Sequence, residues 1–156
     1  MNDKSLTRRD FLSTTAIATA SLAAVPELSA KQLAPKGKTS ESYVKLLHSS
    51  LSDSQKKVLC FPWDHGDKKN GLLRTHVSNN WRITNHALTS DFYTKEQQVL
   101  IRKTWEGLVN PDWVERFDKQ FKDDMGGFGK KQGIAIFGDP ATNGENYEFV
   151  LTGRHG

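Results

Sequence analysis

From residue 41 onward the apolar positions recur with a helical period, and towards the C-terminus the period falls to two. Tyr43, Val44, Leu46 and Leu47 lie on one face and predict a helix over 41–49. Ser52-Asp53-Ser54-Gln55 has capping-box spacing, in which a hydroxyl and an amide satisfy free backbone N–H groups. It predicts a second short helix running to Cys60. Pro62 ends that helix, since proline disfavours helical geometry in the residue before it. Thr94-Lys95-Glu96-Gln97 repeats the box and opens a helix carrying Val99, Leu100, Ile101, Trp105 and Leu108. Asn110-Pro111 closes that helix and starts the next, with Asn110 as cap and Pro111 where a missing N–H costs nothing. Trp113, Val114, Phe117 and Phe121 form its apolar stripe, Glu115 and Lys119 stand at a pairing distance of four, and Gly126-Gly127 ends it.

Ile134-Ala135-Ile136-Phe137 then reads as a buried strand. Gly138-Asp139-Pro140 and Asn143-Gly144 reverse the chain, and Tyr147 to Thr152 alternates as a second strand. Residues 61–94 follow neither period. Phe61 to Asp67 reads as an ordered loop, Lys68-Lys69-Asn70-Gly71 as a turn, and Asn80 to Thr84 as a short strand with Trp81 and Ile83 inward. The fold class that follows is α+β: N-terminal helices followed by an antiparallel β-hairpin or partial sheet.

The first thirty residues have a different pattern. A polar start with Lys4 leads to Thr7-Arg8-Arg9-Asp10-Phe11-Leu12, a mildly apolar Ala/Ser/Thr/Leu run to Val25, and small residues at Ser29-Ala30. The run falls far short of the ~20 apolar residues that span a bilayer. Arg8, Arg9, Phe11 and Leu12 resemble the twin-arginine export signal, which predicts cleavage after Ala30 and a periplasmic or secreted protein. The partner implied is the twin-arginine export machinery, met transiently. Such passengers cross the membrane folded, and many load a cofactor first. The organisation predicted is a signal at 1–30, a flexible tether at 31–40 containing Pro35 and Gly37, and one domain over 41–156.

Charge narrows the partners. The chain carries 22 Lys and Arg against 18 Asp and Glu, a formal +4. The leader is balanced, so the remainder keeps that excess. The basic residues are dispersed, with runs no longer than pairs such as Lys56-Lys57 and Lys130-Lys131. A nucleic-acid binder concentrates them in a stripe, so no nucleic-acid partner is predicted. No stable membrane anchor is predicted either; loose attraction to an anionic envelope fits the excess. Cys60 is the single cysteine, which excludes an internal disulfide, and its apolar neighbours suit a buried, inert thiol.

Few residues carry candidate chemistry. Gly126-Gly127-Phe128-Gly129-Lys130-Lys131 lacks the first glycine and the Ser or Thr of a phosphate loop, and a helix precedes it rather than follows, so it reads as a helix cap. Asp64-His65-Gly66-Asp67 gathers metal-capable ligands, although Asp and Gly there also suit a turn. Gly153-Arg154-His155 adds a guanidinium and an imidazole, with a frayed terminus as the plain alternative. His48, His76 and His86 have no metal-motif spacing and suit surface or structural roles.

Several of these segments occur together in a known family. They are Leu51 to Gln55 leading to Phe61-Pro62-Trp63-Asp64-His65, Asn79 to Thr84 with Ser90 to Thr94, Asp123 to Gly129, Ile134 to Gly138, and Phe149 to His155. With them the chain resembles the uncharacterised family catalogued as domain of unknown function 3500, in a twin-arginine-exported bacterial branch. The resemblance covers most of 41–155 and implies a sheet that continues beyond the Gly-Arg-His strand, hence a C-terminally truncated product. Two functions are carried forward. One is an extracytoplasmic enzyme dependent on a divalent metal, with His65, Asp64 and His155 meeting in the fold. The other is a non-catalytic periplasmic or envelope-associated binding domain that contacts its partner through exposed Trp63 and Trp81.

Overall fold

The computed structural model describes residues 39–154. Arg8, Arg9, Phe11 and Leu12 of the export signal, most of the tether and His155 lie outside the described residues. Thr39 caps the first helix, its hydroxyl oxygen accepting the N–H of Ser42.

The described chain runs α1 (Ser40–Ser50), α2 (Asp53–Leu59), β1 (Cys60–Phe61), β2 (Gly66–Asp67), β3 (Gly71–Leu72), a 3-10 turn (Leu73–Thr75), α3 (Lys95–Glu106), a 3-10 turn (Pro111–Trp113), α4 (Val114–Met125), β4 (Gln132–Gly138) and β5 (Tyr147–Gly153). The fold is α+β. β4 is the centre of a three-stranded sheet of order β1-β4-β5. It pairs antiparallel with β5 and parallel with β1, in the registers Ile136↔Phe149 and Cys60↔Ile136. The periodicity predicts a hairpin or partial sheet, and the sheet gains its third strand because Cys60 leaves the helix. Cys60 has extended geometry (φ −106°, ψ 129°), so α2 stops at Leu59 and the residues before Pro62 become a strand.

Each face of the sheet has its own cover. Ile134 and Ile136 point to one side and join Leu47, Leu51, Leu59, Leu88 and Ile101 in the main core, under α1 and α3. Ala135 and Phe137 point to the other and pack with Leu73, Phe61, Trp81, Ile83 and Val150. A strand buried on both faces reads as a continuous apolar run, which is why Ile-Ala-Ile-Phe shows no alternation. The second cover is made of loop, not strand. Asn80 adopts a left-handed φ of 59°, which interrupts extension at the predicted Asn80–Thr84 strand. Ile83 instead donates its N–H to the Thr152 hydroxyl oxygen at 3.1 Å, and the Thr84 hydroxyl donates to the carbonyl of Ile134 at 2.8 Å.

The helical cover is latched by its own caps. Both predicted capping boxes form. Their glutamines also meet: Gln55 Nε2 donates to Gln97 Oε1 at 2.8 Å, and Gln97 Nε2 returns a bond to Gln55 Oε1 at 3.1 Å. Gln55 Nε2 reaches the carbonyl of Phe92 and Gln97 Nε2 that of Ser50. Each buried amide thus satisfies its own helix start, its partner and a distant carbonyl.

α4 is fastened to α3 by aromatic and ionic contacts. Trp105 packs edge-on to Phe117, and Arg102 forms a two-pronged bond to Asp118 at 2.6 and 2.7 Å. Lys119 pairs at 3.5 Å with Asp123, one turn towards the C-terminus, rather than with the predicted Glu115 one turn before it. Gly126 closes α4 at φ 82°, with its N–H on Lys122 and that of Gly127 on Phe121, the cap that the glycine pair predicts.

Candidate functional site: a cleft at the carboxyl ends of β1 and β4

β1 and β4 run parallel and end side by side. The chain leaves β1 through Phe61, Pro62 and Trp63, and leaves β4 through Gly138 and Asp139. Between these exits lies an open cleft of about 470 Å³, closed on its far side by Glu145 and Asn146 of the β4–β5 turn. The carboxyl ends of parallel strands are a common place for ligands, because the chains diverge there and leave a crevice. Gly138 shapes the floor. Its φ is 74°, and a Cβ there would collide with the carbonyl of Asn146.

Trp63 forms one wall and is held from behind. The Arg74 guanidinium carbon lies 4.0 Å from the Trp63 ring centroid. Its Nε–H donates to the Trp63 carbonyl at 3.1 Å, and its Nη1 pairs with Glu148 Oε2 at 3.2 Å. Trp63 is still 36% exposed. Three contacts on one arginine therefore fix an exposed aromatic plate, with part of its surface open to the cleft.

The opposite wall is polar. Asp139 Oδ1 accepts the N–H of Ala141 and Oδ2 accepts the Thr142 hydroxyl, both at 2.8 Å. These bonds hold its carboxyl below the ordinary value, with smaller help from the charges of His48 and Lys56. His48 Nδ1 of α1 stands 4.0 Å from Asp139 Oδ1. Burial, then Lys56, pushes the His48 imidazole down, while Asp139 works against them. Cys60 lies within reach of the same charges, and burial pushes its thiol up, in keeping with an inert sulfur. Glu145 and Asn146 make no side-chain hydrogen bond among the described residues.

The predicted metal residues occupy the adjoining turn. Asp64 is exposed. The His65 ring stacks on Phe61 at 4.7 Å, and the His65 carbonyl accepts the N–H of Leu73. Asp67 is committed to its turn, accepting the N–H groups of Lys69 and Asn70 at 2.8 and 2.7 Å. Those bonds, with the Asn70 side chain, lower its carboxyl. Asp64 and His65 are chain neighbours and supply two donors; among the described residues no group of three or more His, Cys, Asp or Glu could hold a metal ion. The two tryptophans differ as well. Trp63 is exposed, whereas Trp81 is half-buried, its ring meeting His76 edge-on at 4.6 Å and covering the sheet. Arg74, Glu145 and Asn146 carry no signal in the sequence pattern, since only the closed loop brings them to Trp63.

A search of protein-family models, of curated proteins and of solved structures returns no match to this chain. Among the described residues no helix is long and apolar enough to cross a membrane.

Proposed function

We propose that the protein is an exported, non-catalytic binding domain that works outside the cytoplasm and engages its ligand at the cleft between Trp63 and Asn146. The paired-arginine leader supports export, and membership of the family called domain of unknown function 3500 belongs to the same proposal. One observation carries the binding reading: Arg74 and Glu148 hold an exposed tryptophan in a fixed plane beside unpaired polar side chains. An exposed aromatic fixed in this way loses little conformational freedom when a ligand docks. Pockets of this kind combine a mostly apolar lining with a few placed polar groups.

Cell fractionation with envelope retention tests both halves. The wild-type chain is expected outside the cytoplasm, and Arg8→Lys/Arg9→Lys is expected to leave it inside. Exported wild-type protein should sediment with cell envelopes, and Trp63→Ala should release most of it. Wild-type protein found in the cytosol with Met1 attached would remove the export half. Equal retention of wild type and Trp63→Ala would remove the binding half.

A further inference from the structure

We propose that the cleft takes a neutral saccharide, one sugar ring lying flat on the open surface of Trp63 while Glu145 and Asn146 bind its hydroxyls. This inference rests on the reading of the cleft as a binding site, and it names the ligand class.

The argument begins with the plate. A pyranose is amphipathic: its axial C–H groups form an apolar face, and its hydroxyls radiate from the rim. It therefore suits a flat aromatic surface bordered by hydrogen-bonding groups. Trp63 supplies that surface, with Pro62 beside it in the lining of the cleft. The bordering groups are of the right kind, since a carboxylate accepts two hydroxyl protons and an amide both donates and accepts. Glu145 and Asn146 stand across the cleft with those capacities unspent.

Charge separates this ligand from two others. An anion would meet the carboxylates of Asp139 and Glu145, and no Lys or Arg lines the cleft. A cation would find those carboxylates attractive, but the plate works against it. The Arg74 guanidinium already lies against Trp63 at 4.0 Å, so its positive charge opposes a second cation on the same π-system. Asp139 is also spent on Ala141 and Thr142, with His48 and Lys56 behind it. An uncharged, hydroxyl-rich ligand meets neither obstacle. The openness of the cleft suits one or two rings of a longer chain rather than an enclosed monosaccharide.

The test is an NMR titration of ¹⁵N-labelled protein recovered from the extracytoplasmic fraction. The probes are the β-1,4-linked hexasaccharides of glucose and of N-acetylglucosamine, with tetramethylammonium as cation. At least one hexasaccharide is expected to move the Trp63 indole N–H and the Asn146 amide to saturation. Trp63→Ala should weaken that binding about tenfold or more, equivalent to ~1.4 kcal/mol, while Trp63→Tyr retains it. Unchanged amide shifts away from the cleft establish that both variants fold. Response to tetramethylammonium alone would overturn the saccharide assignment and leave the cleft as a binding site. Silence to all probes, with Trp63→Ala still releasing protein from envelopes, would overturn it in the same way. Silence together with unaltered retention would remove both readings.

Discussion

The two covers of the central sheet are built on different principles. On one face, α1 and α3 pack regular helices over Ile134 and Ile136. On the other, a chain with little repeating structure packs Leu73, Trp81 and Ile83 over Ala135 and Phe137. The helical cover repeats one solution, a capping box, twice, and then joins the two boxes through Gln55 and Gln97. The loop cover uses single-purpose contacts instead: a hydroxyl into the sheet at Thr84, an aspartate that closes its own turn at Asp67, an arginine behind Trp63. Repetition gives stability with few exposed groups. Irregularity leaves a crevice and fixes an aromatic ring at its edge. The contrast separates the half of the molecule that holds the fold from the half that offers a surface.

The strongest way to break the comparison is to open the latch. Gln97 is 2% exposed, and Gln97→Leu would leave the Gln55 amide, the carbonyl of Ser50 and the N–H of Thr94 short of partners. Unmade bonds of this kind cost about 1–3 kcal/mol each when buried, partly offset by relaxation, so a loss of ~3 kcal/mol is expected in urea unfolding. Gln55→Leu should cost somewhat less, being nearer the surface. The double variant should cost less than the two singles added, because each single already strands the other amide. Additive losses would mean that the two caps act separately.

Legibility in the sequence divides along the same line. The helical cover is readable because its signals are local. Ser52 with Gln55, Thr94 with Gln97, Asn110 with Pro111 and Gly126 each specify a helix end within four residues. The β4–β5 pair is readable for the same reason, an apolar run, a turn and an alternating strand. What the pattern does not announce is contact at long range. Each capping glutamine is predicted to serve its own helix, yet the bond that matters most joins residues 42 apart. β1 is two residues long and gains strand character only by lying beside β4. Trp81 and Ile83 are correctly apolar and inward, but Asn80 and the hydroxyl of Thr152 replace the predicted ladder. The candidate site shows the same limit. Asp64 and His65 attract notice as adjacent ligands, whereas Arg74, eleven residues from Trp63, organises the cleft and has no motif around it.

A smaller effect on stability sharpens the contrast from the other side. Arg74→Ala removes a partly exposed ion pair and the support behind Trp63. Pairs of this exposure contribute about 0–1 kcal/mol, so the unfolding midpoint should move little. Trp63 should lose its fixed orientation, seen as faster local fluorescence depolarisation, and envelope retention should fall. Arg74→Lys should not restore either, because an ammonium has no planar group to lie against the ring. A large drop in stability would show that the loop cover carries the fold as the helices do.

The smallest effect is a pH dependence that crosses the boundary between the two covers. His48 belongs to α1, and Asp139 to the turn that walls the cleft. Burial and Lys56 lower the His48 pKa from 6.5 in the folded chain, so the unfolded state binds the proton first. Stability is therefore whole above about pH 6.5 and declines as the pH falls from there through the folded-state value. Asp139 adds to the loss only lower down, below its ordinary value of 3.8, because its folded form is held ionised by Ala141 and Thr142. Urea midpoints measured at about pH 7.5 and about pH 5.5 should thus favour the higher pH, a window in which Asp139 stays charged throughout. His48→Gln keeps a polar group at the position without a titration, and it should flatten that slope while leaving the midpoint at the higher pH close to wild type. A slope that survives His48→Gln would assign the acid sensitivity to another group.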